Sequence, residues 1–235
     1  MVTDGRAGRA REIRAGLRAS LAAGLGMYPL GLAFGLIVVQ AGLPWWMAPA
    51  LSVAVFAGSL ELLLVGLISA GTSLATIALT TLVVNFRHVF YAFSFPLHVV
   101  RHPVARAYSV YALIDEAYAM TAVRPEGWTS WRLLSMQVAF QAYWVGGGLT
   151  GVAVAAVLPG PIEGLEFALC ALFITLTLDA VRGRRQVPSL LLGGLAFTLA
   201  TVAFPESALL AGLLLFVVGL VLRYVLTRRR GGPRA

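Results

Sequence analysis

Eight long apolar runs, most of them separated by short turns rich in glycine and proline, dominate this sequence. A helix needs about 20 apolar residues to cross the hydrocarbon core of a bilayer. Hydrophobic residues make up 59% of the 235 residues and charged residues only 12%, about half the charged share of a soluble domain. We therefore expect an all-α polytopic transmembrane bundle of about eight spans, with seven as the alternative. The predicted spans are Leu17 to Gln40, Trp45 to Ala70, Leu74 to Leu97, Ala105 to Val123, Leu133 to Leu158, Ile162 to Val181, Val187 to Phe204 and Ser207 to Leu226.

The arginines predict the orientation of these spans. With the amino terminus in the cytoplasm, most arginines fall in cytoplasmic segments, as the positive-inside rule requires, and only Arg101 and Arg106 fall in an outer loop. Both termini are then cytoplasmic. We expect an Arg-rich segment at 1–16, one transmembrane domain at 17–227 and a basic tail at 228–235. We attribute the net charge of +8 to the membrane topology and to contact with anionic lipid, rather than to binding of nucleic acid.

A polar run, Asn85-Phe86-Arg87-His88, interrupts the third predicted span. The apolar segment before it would climb roughly 16 Å, about half of the bilayer core, which places Arg87 near the midplane. A charge there costs about 2.5–3.5 kcal/mol on insertion scales, so such residues usually line a substrate or ion path. Asn85 and His88 share one helical face, and Arg87 and Tyr91 share another. The alternative is that Arg87 reaches along the helix to an interface.

The fourth span carries Tyr108, Tyr111, Asp115 and Tyr118 at three- and four-residue spacing, within about 80° of arc on one helix. This pattern predicts a stripe of hydroxyl groups around one carboxylate, with Glu116 pointing about 100° away. The alternative is an interhelical clamp in which Asp115 neutralises Arg87.

Other polar residues lie deep in the second and fifth spans. Glu61 has no basic residue within one helical turn, so it must pair across helices or hold a proton. It is a candidate proton carrier, with simple hydrogen bonding as the alternative. In the fifth span, Gln137, Gln141 and Trp144 follow one helical face. Asp179 and Arg182, at the end of the sixth span, predict an interfacial ion pair.

Glycine and proline predict interruptions in the first and fifth helices. Transporters use such breaks to bind substrate, because the freed backbone groups must face protein or a wet cavity. The alternative is close helix packing through small residues. The candidate break residues are Gly26, Pro29, Gly31, Gly146 and Gly147.

This inventory suits a small zwitterion. A carboxylate would bind Arg87 or Asn85, and an ammonium group would bind Asp115, Glu116 or Glu61. Proton conduction alone is also compatible. The candidate substrate-binding residues are Asn85, Arg87, His88, Tyr111, Asp115 and Gln141, and the candidate proton-coupling residues are Glu61, Asp115 and Glu116.

Several function classes are not expected. The sequence has no nucleotide-binding loop, which favours a secondary transporter over an ATP-driven pump. Leu60 and Glu61 follow Ser59, so the glycine-flanked nucleophile motif of serine hydrolases is missing and no enzyme activity is expected. The single Cys170 and the absence of Cys/His ligand spacing predict no metal site and no cofactor.

These residues resemble the AzlC family of branched-chain amino acid exporters over about residues 14–200. The similar motifs are Gly26-Met27-Tyr28-Pro29-Leu30-Gly31, Phe34-Gly35, Phe56-Ala57-Gly58-Ser59, Asn85-Phe86-Arg87-His88 with Tyr91, Leu113-Ile114-Asp115-Glu116 and Trp144-Val145-Gly146. Two positions depart from the family pattern: many members have Gln at the position of Glu61 and Thr at that of Ile114.

The resemblance implies export of branched-chain and other hydrophobic amino acids across the bacterial inner membrane. It also implies a small AzlD-like membrane subunit as a partner. The alternative function is a passive channel for protons or small solutes.

Overall fold

The computed structural model describes residues 3–158 and 187–229, with only residues 160, 164, 167 and 174 between these ranges. The sixth predicted span, Cys170 and the predicted Asp179–Arg182 pair lie outside the described residues. Helices and turns make up the described part, which contains no strand. The helices are α1 (Thr3–Gln40), α2 (Met47–Ala54), α3 (Gly58–Ser69), α4 (Leu74–Asn85), α5 (Arg87–Tyr91), α6 (Pro103–Tyr111), α7 (Asp115–Val123), α8 (Ser130–Val157), α9 (Val187–Ala203) and α10 (Ala208–Arg229).

The predicted all-α polytopic fold is confirmed. Four described helical segments are long and apolar enough to cross a membrane, and α3 and α9 are shorter apolar helices. The four segments are Gly8–Gln40, Leu74–Tyr91 (α4 with α5), Ser130–Val157 and Ala208–Leu226. Large apolar side chains such as Leu25, Phe93 and Val157 are exposed on the protein surface. An apolar surface of this kind is suited to contact with lipid tails. The number of spans stays a prediction.

The described residues form two compact units. One contains residues 3–72 and 85–158, and the other contains residues 73–84 and 187–229. In the second unit α9 and α10 pack against each other through small residues: a Cβ atom on Gly212 would lie 2.6 Å from the Phe197 ring. The candidate site belongs entirely to the first unit.

The second and fourth predicted spans are each broken into two short helices. Between α2 and α3 the chain passes through Phe56, whose φ of 44° lies in the left-handed region that non-glycine residues rarely adopt. Between α6 and α7 it passes through Ala112 to Ile114, and Ile114 is extended with a ψ of 169°. Both breaks are buried, so the backbone groups that they free need partners from the rest of the chain.

The third predicted span is also shorter than expected. Helix α4 ends at Asn85, α5 runs from Arg87 only to Tyr91, and a turn with a 3₁₀ segment at Leu97–Val99 follows. The polar run therefore lies where α4 passes into α5 at Phe86, within the segment Leu74–Tyr91 that is long and apolar enough to cross a membrane.

The predicted interruptions of the first and fifth helices are wrong, because α1 and α8 are both continuous. Pro29 lies inside α1 without ending it. The predicted break residues were Gly26, Pro29, Gly31, Gly146 and Gly147. The alternative interpretation, close packing through small residues, describes Gly31 and Gly147, whose Cβ atoms would lie 2.6 and 2.3 Å from the backbone of the other helix.

A seam of glycines joins α1 to α8 at backbone contact. A Cβ atom on Gly35 would lie 2.0 Å from the carbonyl oxygen of Gly148, and one on Gly151 would lie 2.0 Å from that of Leu32. Real side chains essentially never approach so closely, so only glycine fits at these positions. Beside the seam, the rings of Phe34 and Trp144 stack with their centroids 5.9 Å apart and anchor the core.

Helix α1 begins at Thr3 rather than at Leu17, so the Arg-rich amino-terminal segment continues the first span as one helix. Its 38 residues extend roughly 57 Å, nearly twice the thickness of a hydrocarbon core. The amino-terminal half must therefore project beyond the apolar layer.

Candidate functional site

An ion pair between Arg87 and Asp115 lies at the centre of the candidate site. Arg87 Nη2 is 2.8 Å from Asp115 Oδ2 and also donates to Ser59 Oγ at 3.1 Å. The Tyr91 hydroxyl donates to the other carboxylate oxygen of Asp115 at 2.8 Å. Each of these three residues lies at the start of a helix: Arg87 begins α5, Asp115 begins α7 and Ser59 lies in the first turn of α3.

The ion pair is open rather than buried. The side chains of Arg87 and Asp115 are 41% and 43% exposed. Both charged groups are therefore accessible to a ligand from outside the protein.

Two buried polar atoms of the run Asn85-Phe86-Arg87-His88 have no hydrogen-bond partner in the described structure: Arg87 Nε and Asn85 Oδ1. One is a donor and the other an acceptor. His88 Nδ1 lies 3.0 Å from the carbonyl oxygen of Asn85 and donates to it, because a carbonyl oxygen can only accept. A buried polar atom without a partner lowers the stability of the fold by about 1–3 kcal/mol. A ligand that accepts from Arg87 Nε and donates to Asn85 Oδ1 would remove this cost.

Two tyrosines form a wall next to the pair. The rings of Tyr91 and Tyr118 stack with their centroids 4.1 Å apart and their planes 8° from parallel. The Ser94 hydroxyl donates to the Tyr118 hydroxyl at 3.3 Å. Because Tyr91 also bonds Asp115, this wall fixes the orientation of the carboxylate.

The predicted continuous stripe of hydroxyls on the fourth span is wrong, because the helix breaks between Tyr111 and Asp115. The stripe divides into two groups. Asp115 and Tyr118 face the ion pair, whereas Tyr108 and Tyr111 bond Gln141: the Tyr108 hydroxyl donates to Gln141 Oε1 at 3.0 Å, and Gln141 Nε2 donates to the Tyr111 hydroxyl at 2.9 Å.

Polar side chains satisfy the backbone at the break between α6 and α7. Gln137, fully buried on α8, donates to the carbonyl oxygens of Ser109 at 2.9 Å and Ala112 at 3.0 Å. Its own oxygen accepts from the Ser109 hydroxyl at 2.8 Å. At the other break, the Tyr111 hydroxyl donates to the carbonyl oxygen of Val53 near the end of α2. These residues replace the helical partners that the breaks remove.

Glu61 holds the break between α2 and α3. It is fully buried, and one carboxylate oxygen accepts from Ser52 Oγ at 2.8 Å and from Trp144 Nε1 at 2.9 Å. The other accepts from the backbone N–H of Ala57 at 3.0 Å, at the start of α3. All three partners are neutral donors. The geometry therefore favours the hydrogen-bonding interpretation of Glu61 over that of an accessible proton carrier.

The structure thus gathers some of the candidate residues and separates others. Asn85, Arg87, His88 and Asp115 lie at one junction, whereas Tyr111 and Gln141 belong to the neighbouring hydroxyl–amide group. Glu116 occupies the second position of α7, but the ion pair uses Asp115. Within the described residues, no group of three or more His, Cys, Asp or Glu side chains could hold a metal ion.

Sequence reasoning did not assign Ser59 or Ser52 to the site. Ser59 Oγ accepts from the arginine, and Ser52 Oγ donates to Glu61. Small hydroxyl residues in apolar runs are common, and only their place beside a helix break distinguishes these two. The break between α2 and α3 contains no proline, so the sequence alone does not mark its position.

Comparison with known proteins gives one family match, to the AzlC protein family over residues 22–158, more than half of the chain. An uncharacterized membrane protein of Helicobacter pylori is 28% identical over 202 residues, covering 84% of this chain and 89% of that protein. The branched-chain amino acid transport protein AzlC of Bacillus subtilis is 26% identical over 153 residues, covering 64% of this chain and 60% of its own. The inner membrane protein YgaZ of Escherichia coli is 26% identical over 193 residues, covering 77% and 79%. No solved structure matches the chain.

Proposed function

Because the chain belongs to the AzlC family, we propose that it is a secondary transporter that exports branched-chain or other hydrophobic amino acids. Support comes from two sources. A relative at 26% identity is named a branched-chain amino acid transport protein, and the described helices include apolar segments of membrane-spanning length. The observation that carries the proposal is the open Arg87–Asp115 pair where three helix starts meet.

In the proposed mechanism an amino acid inserts into the ion pair. Its carboxylate takes the place of Asp115 on the guanidinium of Arg87, and its ammonium group takes the place of Arg87 on Asp115. The exchange leaves no charge without a partner, because a zwitterion carries both signs. The unpartnered Arg87 Nε adds a donor to the bound carboxylate, and Asn85 Oδ1 adds an acceptor to the ammonium group.

The apolar side chain of the substrate would lie against the tyrosine wall. Stacked Tyr91 and Tyr118 present an aromatic surface directly beside the carboxylate of Asp115. Aromatic surface next to convergent polar groups is the usual composition of a small-molecule site. This arrangement favours hydrophobic amino acids over polar ones.

We propose that Asp115 or Glu116, rather than Glu61, carries the coupled proton. Asp115 is exposed and would be exchanged between partners in every cycle. Glu61 is enclosed by three donors and holds a helix break. Its carboxylate would have to give up those bonds to carry a proton.

We also propose that the protein lies in the bacterial inner membrane with both termini in the cytoplasm, and that it works with a small AzlD-like membrane subunit. The arginine distribution supports the orientation. The family relationship supports the partner.

The test is efflux of labelled leucine from cells that express the chain together with a small AzlD-like membrane subunit. Arg87→Ala should abolish efflux against a gradient while the protein level in the membrane stays normal. Arg101→Ala, which removes an arginine from an exposed loop, is the matched control and should export normally.

Normal efflux by the Arg87→Ala variant would refute the site assignment. Efflux that occurs only down a gradient in the wild type would instead identify a passive channel, since a channel cannot concentrate its substrate.

A further inference from the structure

A cavity of about 930 Å³ opens in the first unit, away from the Arg87–Asp115 pair. Its walls come from the amino-terminal part of α1, the end of α7 and the start of α8. Met120 and Val123 bring α7 to the cavity, and Val123 ends that helix. At about 1.5 Å per residue, Val123 lies roughly 12 Å along the helix axis from Asp115.

The charge of the cavity wall has one sign. Five arginines line it: Arg11, Arg14, Arg18, Arg124 and Arg132. None of the described residues that line it is acidic. An amino acid would bring its ammonium group among these guanidinium groups without a carboxylate to receive it. The cavity is therefore unsuited to a zwitterion and suited to an anion.

Part of this wall is rigidly held. The guanidinium of Arg132 lies 4.9 Å from the ring centroid of Trp128, and its Nη1 donates to the carbonyl oxygen of Gly127 at 3.2 Å. Trp128 Nε1 in turn donates to the carbonyl oxygen of Arg124 at 2.6 Å. Arg132 Nε is buried and has no hydrogen-bond partner in the described structure. The site is thus organised in advance, with one donor still to be used.

Other residues that line the cavity are apolar. Ala15 and Ala19 of α1 face the cavity together with Met120 and Val123 of α7. A volume of about 930 Å³ is far larger than a single phosphate group needs and is in the range of sites for larger organic ligands. The combination fits a molecule with an anionic head and an apolar body.

We propose that this cavity binds a phosphate-bearing anion through its arginines. Arginine is the preferred side chain for phosphate, because its planar group donates two parallel hydrogen bonds. The source is either the headgroup of an anionic phospholipid, which the apolar wall would accommodate, or a soluble phosphate compound. Substrate translocation at Arg87 does not depend on this site, so the two proposals can fail separately.

The test uses the purified full-length chain in detergent and native mass spectrometry. Dissociation constants are measured for dioleoyl phosphatidylglycerol and for dioleoyl phosphatidylcholine, which has the same tails and a zwitterionic headgroup. Phosphatidylglycerol should bind at least about tenfold more tightly. Neutralising two arginines, in Arg14→Gln/Arg18→Gln, should weaken phosphatidylglycerol binding by about 30-fold, because each substitution removes one positive charge that attracts the anionic headgroup.

Two further variants control this result. Arg101→Gln/Arg106→Gln removes the same charge from positions outside the cavity and should change the dissociation constant by less than about threefold. Arg11→Gln/Arg14→Gln is a second cavity pair at exposed positions of α1, so the conclusion does not depend on one variant folding.

Competition then distinguishes the source. Inorganic phosphate that displaces the lipid supports a soluble phosphate compound, and failure to displace it supports a lipid headgroup. Equal affinity for the two lipids would overturn the proposal, as would equal losses in the cavity and control variants. Displacement by leucine would also overturn it and would make the cavity a vestibule for substrate.

Discussion

Replacing Gln137 by Met should destabilise the fold more than replacing any other glutamine side chain of α8. Gln137 is fully buried and donates to two carbonyl oxygens at the end of α6, those of Ser109 and Ala112. Methionine has a similar size but no donor. The variant therefore leaves both carbonyl groups buried and without a partner.

The expected loss of stability follows from the number of carbonyl groups left without a partner. Each stranded buried group costs about 1–3 kcal/mol, so the two carbonyls cost about 2–6 kcal/mol together. The Ser109 hydroxyl adds little, because it can rotate to another acceptor. For a protein of this size, about 2 kcal/mol lowers the unfolding midpoint by roughly 4 °C or more. The measurement is thermal unfolding of the purified protein in detergent, followed by tryptophan fluorescence.

Gln141→Met is the matched control, one turn further along α8. Its partners are the hydroxyls of Tyr108 and Tyr111, which can rotate, so no carbonyl is stranded. It should cost about 1 kcal/mol. An unchanged midpoint for Gln137→Met, or equal losses in the two variants, would refute the view that Gln137 stabilises the break.

Two further substitutions test the packing and the second break. Gly35→Ala should separate α1 from α8 and lower the unfolding midpoint, because the added Cβ atom would lie 2.0 Å from the Gly148 carbonyl oxygen. Gly26→Ala is the control and should leave the midpoint unchanged, because nothing lies within 4 Å of the added Cβ atom. Equal midpoints for the two variants would contradict the glycine seam. Glu61→Gln would turn its NH2 group, a donor, towards the N–H of Ala57. The variant should therefore lose about 1–3 kcal/mol of unfolding free energy but retain leucine efflux. Complete loss of efflux at a normal protein level would instead identify Glu61 as the proton carrier.

The sequence raised the ion pair as one of two interpretations, because charge in an apolar run has few ways to be satisfied. Arg87 and Asp115 each interrupt such a run, and each is the most expensive type of residue to bury there. The alternative interpretation of the fourth span was that Asp115 neutralises Arg87, and the structure places Arg87 Nη2 2.8 Å from Asp115 Oδ2. The shared face of Arg87 and Tyr91 is also confirmed, since both side chains bond Asp115.

The helix breaks could not be located from sequence, and the reason is physical. A glycine that permits a break and a glycine that permits close packing look the same, and only a distant partner such as Gly148 distinguishes them for Gly35. Conversely, the break at Phe56 is stabilised by Glu61, Ser52 and Trp144 acting together. Trp144 lies 83 positions along the chain from Glu61, beyond the reach of any local pattern.

The glycine seam also decides which parts of this unit are free to rearrange. Along it the two long helices meet with no side chain between their backbones, so sliding one past the other would drive carbonyl oxygens into Cα atoms. The two helices therefore behave as one rigid element. The segments that can hinge are the interrupted ones beside it, because side-chain hydrogen bonds that can exchange stabilise their breaks. Any movement that opens the protein first to one side of the bilayer and then to the other must occur in these segments.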